Sequence, residues 1–219
     1  MNTTANADDG LRARKRAATQ ASIERAAISL ALEHGYEKTT VDMICEAAMV
    51  SQRTFFNYFG SKEGVILGGG PPMPTDAEVD QFVSGTGPDI LVELVETITS
   101  ALIDHEPDAE LLRSRRLLIR QTGDLATKEL ARMSEAEDQF VNMVMERFHA
   151  QGRDESTTPD LQDEAKMIVS LAVGVMRYAM RKWFSGNFAG TPKDVLRNST
   201  ELIRRVTRTN PSDPTKDAQ

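Results

Sequence analysis

With 219 residues, 40% of them hydrophobic, the chain can hold one large domain or two small ones around a packed core. Its one cysteine, Cys45, excludes an internal disulfide and fits a reducing compartment; no N-terminal apolar stretch reads as a signal peptide. The longest apolar region, Met167 to Met180, is preceded by Lys166, carries Arg177 and is too short to span a bilayer, so a cytoplasmic protein with no membrane partner is expected. The net charge of −7 argues against nucleic acid only as a total: the first 67 residues hold 8 basic and 8 acidic side chains, and the rest of the chain carries the whole excess.

Residues 1–10, MNTTANADDG, are polar and expected to be a disordered tail. Arg12, Arg14, Lys15 and Arg16 then make a local basic cluster. The spacing of Ile23, Ala26, Ala27 and Leu30 predicts a helix from about Ala13 to His34, stopped by Gly35, with Tyr36 packing back onto it. Next come two short helices joined by a tight turn. Thr39 or Thr40 can cap the first, whose apolar stripe is Val41, Ile44, Ala47 and Ala48. Ser51 can cap the second, in which Phe55 and Phe59 face inward. Gln52, Arg53 and Asn57 are left on the outer side. A short helix presenting amide and guanidinium groups suits the base edges of a DNA major groove. Ser61 can cap a fourth helix.

Residues 68–88 contain GGGPPMP and SGTGP and read as a flexible connector between an N-terminal domain (11–67) and a second helical domain (89–208). Helices are expected over Asp89–His105, Asp108–Thr122, Asp124–Ala150, Asp160–Gly186 and Thr191–Arg208, the third through Leu130, Met133, Phe140, Met143, Val144 and Phe148, and the last with Val195, Leu202, Ile203 and Val206 inward. Residues 209–219 are expected to be a disordered tail. The fold class is all-α: an N-terminal three-helix, helix-turn-helix DNA-binding domain followed by a second helical domain.

The chain resembles the TetR family of bacterial regulators. The resemblance rests on Ala27, Leu30, Gly35 and Tyr36, on Thr39 to Val41, on Ala47 to Ser51, on Thr54 with Phe56 to Phe59, and on Ser61 to Glu63, in order and at the family's spacing. It covers roughly Lys15 to Leu67. It implies that residues 51–58 form the recognition helix and that Gln52, Arg53 and Asn57 reach bases, with Phe56 against a thymine methyl or simply packed. Thr40, Thr54, Tyr58 and Lys62 would hold phosphates, and Arg14 and Arg16 would add phosphate or minor-groove contacts. Two positions depart from the family pattern. Met49 stands where glycine is common in the turn, so the turn is expected to be slightly reshaped. Phe56 stands where tyrosine is common, which removes a hydroxyl.

The same resemblance implies a homodimer through helices about 160–186 and 191–208, bound to a pseudo-palindromic operator in double-stranded DNA and released by a small-molecule effector. The connector and the fourth helix would transmit the change. Arg113, Arg115, Arg116 and Arg120 make a basic face that either is solvated and ion-paired or meets an anionic, acyl-CoA-like effector, with Arg116 and Arg120 as the ligand-facing pair. Met143, Met176, Tyr178 and Met180, with Trp183 and Phe184, either line a cavity for an apolar effector or serve as core and subunit interface. Cys45 reads as a core residue, and the Gly68–Gly70 run lacks the context of a phosphate loop. His34, His105 and His149 have no ligand spacing, so neither metal nor cofactor is expected. No catalytic constellation can be assembled, so the chain is not expected to be an enzyme. The alternatives are a ligand-independent regulator and a non-specific architectural DNA-binding protein.

Overall fold

A computed structural model of the chain describes residues 3–71, 73–103, 108–156, 158–185 and 192–207. These form helices α1 (Thr3–His34), α2 (Val41–Ala48), α3 (Gln52–Phe59), α4 (Lys62–Leu67), α5 (Asp76–Val83), α6 (Ile90–Ile103), α7 (Ala109–Gln121), α8 (Gly123–Ala150), α9 (Leu161–Ser185) and α10 (Pro192–Thr207), with no strand among the described residues. They fall into two compact units. The first holds α1–α4, α7 and α8 up to Glu135; the second holds α5, α6, α8 from Ala136 onward, α9 and α10.

The first unit is built on α1. Ile23, Ala27, Ile28 and Ala31 recur at helical spacing on its buried face. Gly35 ends it in the left-handed region (φ 88°), where a side chain would be strained. The three short helices that follow each need their free N–H groups satisfied, and each starts on a hydroxyl. Thr40, Ser51 and Ser61 accept from the backbone of Met43, Thr54 and Gly64 at the starts of α2, α3 and α4. Ile44, Cys45, Ala48, Phe55, Val65 and Ile66 then close on the α1 face. Ala47, expected on the apolar stripe of α2, is exposed; Cys45 takes the inward position instead.

Leu118 and Ile119 of α7 and Leu125 of α8 belong to this same core. A segment expected to lie wholly in the C-terminal domain therefore completes the N-terminal one. The physical reason is that an apolar stripe specifies that a helix packs, not on what. The N-terminal tail also differs from expectation, because α1 begins at Thr3. Once α1 is nucleated on its core, each further residue adds a hydrogen bond without a new nucleation cost.

The second unit packs α6, α9, α10 and the later half of α8 around Leu94, Val95, Ile98, Phe140, Val144, Phe148, Leu161, Ala165, Val169 and Ala172. Residues 68–88 are not simply a connector. They contain α5, which starts on a capping box between Thr75 and Glu78 and buries Phe82. The flanking Gly and Pro residues hide this short helix from a composition-based reading. In α8, Leu130 and Met133 are exposed and lie in neither core, and Val206 at the end of α10 is exposed as well. Residues 208–219 and His105 lie outside the described residues.

Candidate nucleic-acid interface

The turn between α2 and α3 fixes how α3 is presented. Met49 adopts the left-handed conformation (φ 54°, ψ 44°), and its N–H donates to the carbonyls of Cys45 and Glu46. Val50 N–H donates to Cys45 O at 3.0 Å. The turn therefore keeps the positive φ that glycine usually supplies, contrary to the reshaping expected from Met49. Its side chain is 92% exposed, so it meets no steric obstacle beyond its own backbone. The residual cost is about 1 kcal/mol.

Phe55 pins α3 from beneath with no exposed surface, its ring edge-on to Phe56 at 5.4 Å. That fixes the outward face: Gln52, Arg53, Phe56 and Asn57 are all exposed, on adjacent turns of one side. Helical spacing placed Gln52, Arg53 and Asn57 on the outer side, and Phe56 stands exposed beside them. Ser51 Oγ lies 2.8 Å from Thr54 Oγ1, so the cap and Thr54 form one polar patch at the start of α3. Thr40 Oγ1 accepts from Met43 N–H at 3.2 Å and keeps its own O–H to donate outward.

Three side chains are already engaged within the first unit. Gln52 Nε2 donates to Asp42 Oδ1 of α2. Lys62 Nζ donates to Tyr36 O at 3.0 Å and sits 4.2 Å from the Tyr36 ring centroid. Tyr36 is itself pushed up to about 12, first by burial and then by the charges of Glu63, Glu37 and Asp124. Arg16 lies 5.8 Å from the Tyr58 ring centroid, and Arg14 is exposed on the same helix. Both basic residues therefore lie on α1, as the helix expected from about Ala13 implies.

Of the residues suggested for an effector pocket, Arg116 and Arg120 lie exposed on α7 in the first unit, and Met143, Met176, Tyr178 and Met180 lie in the second. Met143 is core, Met176 and Met180 are half-buried, and Tyr178 is exposed. The second unit does hold a recess of about 440 Å³, between Pro88, Ile90, Phe148, Gln151, Arg153 and Glu164, and none of the six lines it. One wall is an ion pair, Arg153 Nη2 to Glu164 Oε2 at 2.5 Å, with the guanidinium stacked on Phe148.

Sequence reasoning also passed over Arg147, which is entirely buried in the second unit. Its Nη1 donates to Glu93 Oε2 at 2.6 Å and to Phe82 O at 3.0 Å, and its Nη2 donates to Gly87 O at 3.2 Å. A Cβ at Gly87 would lie 2.0 Å from Glu93 Oε1, so a larger residue there would have to displace the carboxylate that pairs with Arg147. The signal was present: Phe140, Val144 and Phe148 define the inward stripe of α8, and position 147 falls on it. Among the described residues, no three His, Cys, Asp or Glu side chains form a metal-binding group, and no helix is long and apolar enough to cross a membrane.

A capped pair of short helices on a small core, with a polar reading face and a separate helical unit, defines a helix-turn-helix transcriptional regulator. The family model described as "Bacterial regulatory proteins, tetR family" matches residues 23–67. The HTH-type transcriptional regulator TcmR of Streptomyces glaucescens is 30% identical over 188 residues, covering 80% of this chain and 77% of that protein. A candidate fatty acid metabolism regulator from Clostridium perfringens aligns over 86% of this chain and 100% of its own at 15% identity, with a TM-score of 0.51, which reflects the shared fold. The chain belongs to the TetR family: it is a DNA-binding transcriptional regulator and not an enzyme. Regulators of this family bind DNA as dimers and bind small-molecule ligands.

Proposed function

We propose that this chain is a cytoplasmic repressor that binds a pseudo-palindromic operator as a homodimer and is released by a small-molecule effector. The observation that carries the reading is the outward face of α3, pinned by Phe55. On it Arg53 suits guanine and Gln52 and Asn57 suit adenine, each through a bidentate pair, while Phe56 suits a thymine methyl. Thr40, Thr54, Tyr58 and Lys62, with Arg14 and Arg16 on α1, hold phosphates and fix register. Lys62 keeps two N–H groups beyond its bond to Tyr36, so it can brace the turn and meet a phosphate at once.

Dimerisation is assigned to α9 and α10. Met167, Leu171 and Tyr178 are exposed at 61%, 45% and 46%. With Gly174, where an added Cβ would meet nothing, they form one stripe opposite the buried face of α9. Such a stripe is costly in water and suits a two-fold contact. The two half-sites then lie about one DNA turn apart, or slightly more.

Release follows from linkage: an effector that favours an arrangement unsuited to the operator weakens DNA binding reciprocally. Met176 and Met180, half-buried on α9, are the side chains best suited to repack around an apolar effector. The two ends of α4 are the natural points of control. Arg132 Nη2 donates to Gly68 O at 3.0 Å, Arg115 lies against Gly68 while paired to Glu24 at 3.0 Å, and Lys128 pairs with Glu63 at 2.7 Å.

The test is operator binding by Arg53→Ala and Asn57→Ala, followed by anisotropy, with oligomeric state checked by light scattering. Each should lose about 1–3 kcal/mol of operator affinity while remaining dimeric. Unchanged affinity in both would remove α3 as the reading helix.

A further inference from the structure

Asp42 lies in the first turn of α2 and Gln52 is the first residue of α3. The Met49 turn brings these two helix starts side by side, and both side chains are exposed. Asp42 Oδ1 accepts a hydrogen bond from Gln52 Nε2. A carboxylate can only accept, so it tolerates only the NH2 end of the glutamine amide; the flipped amide would set two oxygens against each other. From this geometry we infer that Asp42 is a specificity-determining residue, which sets the base preference of α3 by fixing the orientation of the Gln52 amide. The inference rests on reading α3 as the recognition helix.

The tether leaves Gln52 able to read. Its Nε2 has a second N–H and its Oε1 keeps both lone pairs, so a donor and an acceptor still stand side by side, as adenine N7 and N6 require. What the tether removes is the choice of order. With donor and acceptor fixed along the groove, adenine is accepted in one strand orientation and disfavoured in the other. A side chain rich in rotamers is also ordered before DNA arrives, which lowers the ordering cost of the contact.

Asp42 has a second, opposite effect. Its charge stands two residues from Thr40, in the same helical turn that is assigned to the phosphate backbone. It therefore repels every duplex alike, whatever the sequence. Asp42 thus exchanges general affinity for discrimination at one base pair. A side chain placed only to cap or solubilise α2 would not produce that pairing of effects.

Selection of bound sequences from a random duplex pool, using the full-length protein and its Gln52→Ala, Asp42→Ala and Asp42→Asn variants, tests this. Gln52→Ala identifies the base pair it reads by flattening the preference there. Both Asp42 variants should weaken preference at that same pair by about threefold to tenfold and leave the other positions intact. Asp42→Asn is nearly isosteric and keeps the fold, but it can donate as well as accept and so permits both amide orientations. Asp42→Ala should also bind unrelated duplex more tightly. Unchanged preference at that pair in both Asp42 variants, or an equal loss at every position, would overturn the inference while leaving α3 as the reading helix. A flat response to Gln52→Ala would overturn it together with the assignment of Gln52 to base reading, and failure of the parent protein to enrich any repeat would remove the DNA-reading assignment itself.

Discussion

In the first unit three hydroxyl side chains, Thr40, Ser51 and Ser61, start α2, α3 and α4 in turn, and none of these helices exceeds eight residues. In the second unit α9 runs 25 residues and buries Leu161, Ala165, Val169, Ala172, Val175, Ala179 and Trp183 along one side. Their charges differ in the same way. Arg115 and Glu24 of the first unit meet at a half-wet edge, each about 15% exposed. Arg147 of the second is wholly enclosed with Glu93 and two backbone carbonyls. The first unit is thus assembled from end chemistry that positions short elements and leaves their outer faces free. The second is held by burial around the ion pair between Arg147 and Glu93. A reading head needs the former, because its exposed side chains can vary while Phe55 and the caps keep α3 in place.

Truncating the two arginines should separate the units most clearly. Arg147→Ala leaves Glu93 and the carbonyls of Phe82 and Gly87 without their donor, and should cost about 3–5 kcal/mol, read by denaturant unfolding. Arg115→Ala leaves Glu24 with water near by and should cost about 1–2 kcal/mol. Equal costs would erase the contrast between an enclosed and an edge pair.

Met49→Gly sharpens the claim that local geometry governs the head. It relieves the left-handed strain at an exposed position and should raise the stability of the first unit by about 0.5–1 kcal/mol, with operator affinity unchanged. A loss of stability would mean that the Met49 side chain contributes contacts of its own.

The smallest effect is expected at Tyr36. Its folded value of about 12 stands above the ordinary phenol value of 10.0, because burial comes first and Glu63, Glu37 and Asp124 add to it. A raised value means that the folded form holds its proton while the unfolded chain has lost its own. This contribution is intact below pH about 10 and disappears as pH climbs from there to about 12. In an alkaline absorbance titration of the folded protein, Tyr36 should give an ionisation step near pH 12. Tyr36→Phe should remove that step and flatten the alkaline loss of stability over the same range. Ionisation of Tyr36 at an ordinary phenol value would show that its site is open to water.

What the sequence revealed follows the same division. Ser51, the Phe55 position and the outward Gln52, Arg53 and Asn57 were legible because capping and helical spacing act over a few residues. The left-handed turn at Met49 was not, because its cost is small enough to be absorbed. The recruitment of Leu118, Ile119 and Leu125 into the first core was hidden, since periodicity does not name a helix's partner. The enclosed Arg147 was readable in principle from the Phe140, Val144 and Phe148 stripe, but a charged residue on an apolar face is easily taken as its edge. That Arg116 and Arg120 belong to the first unit could not be seen from composition, because it depends on which core α7 joins.

The measurement that bears most directly on the account is selection of sequences bound by the unmodified full-length chain from a random duplex pool, with oligomeric state determined on the same preparation. A dimer that enriches an inverted repeat, its half-sites about one turn or slightly more apart, is the predicted result. A folded dimer that enriches no sequence would contradict the assignment of α3 as a base-reading helix.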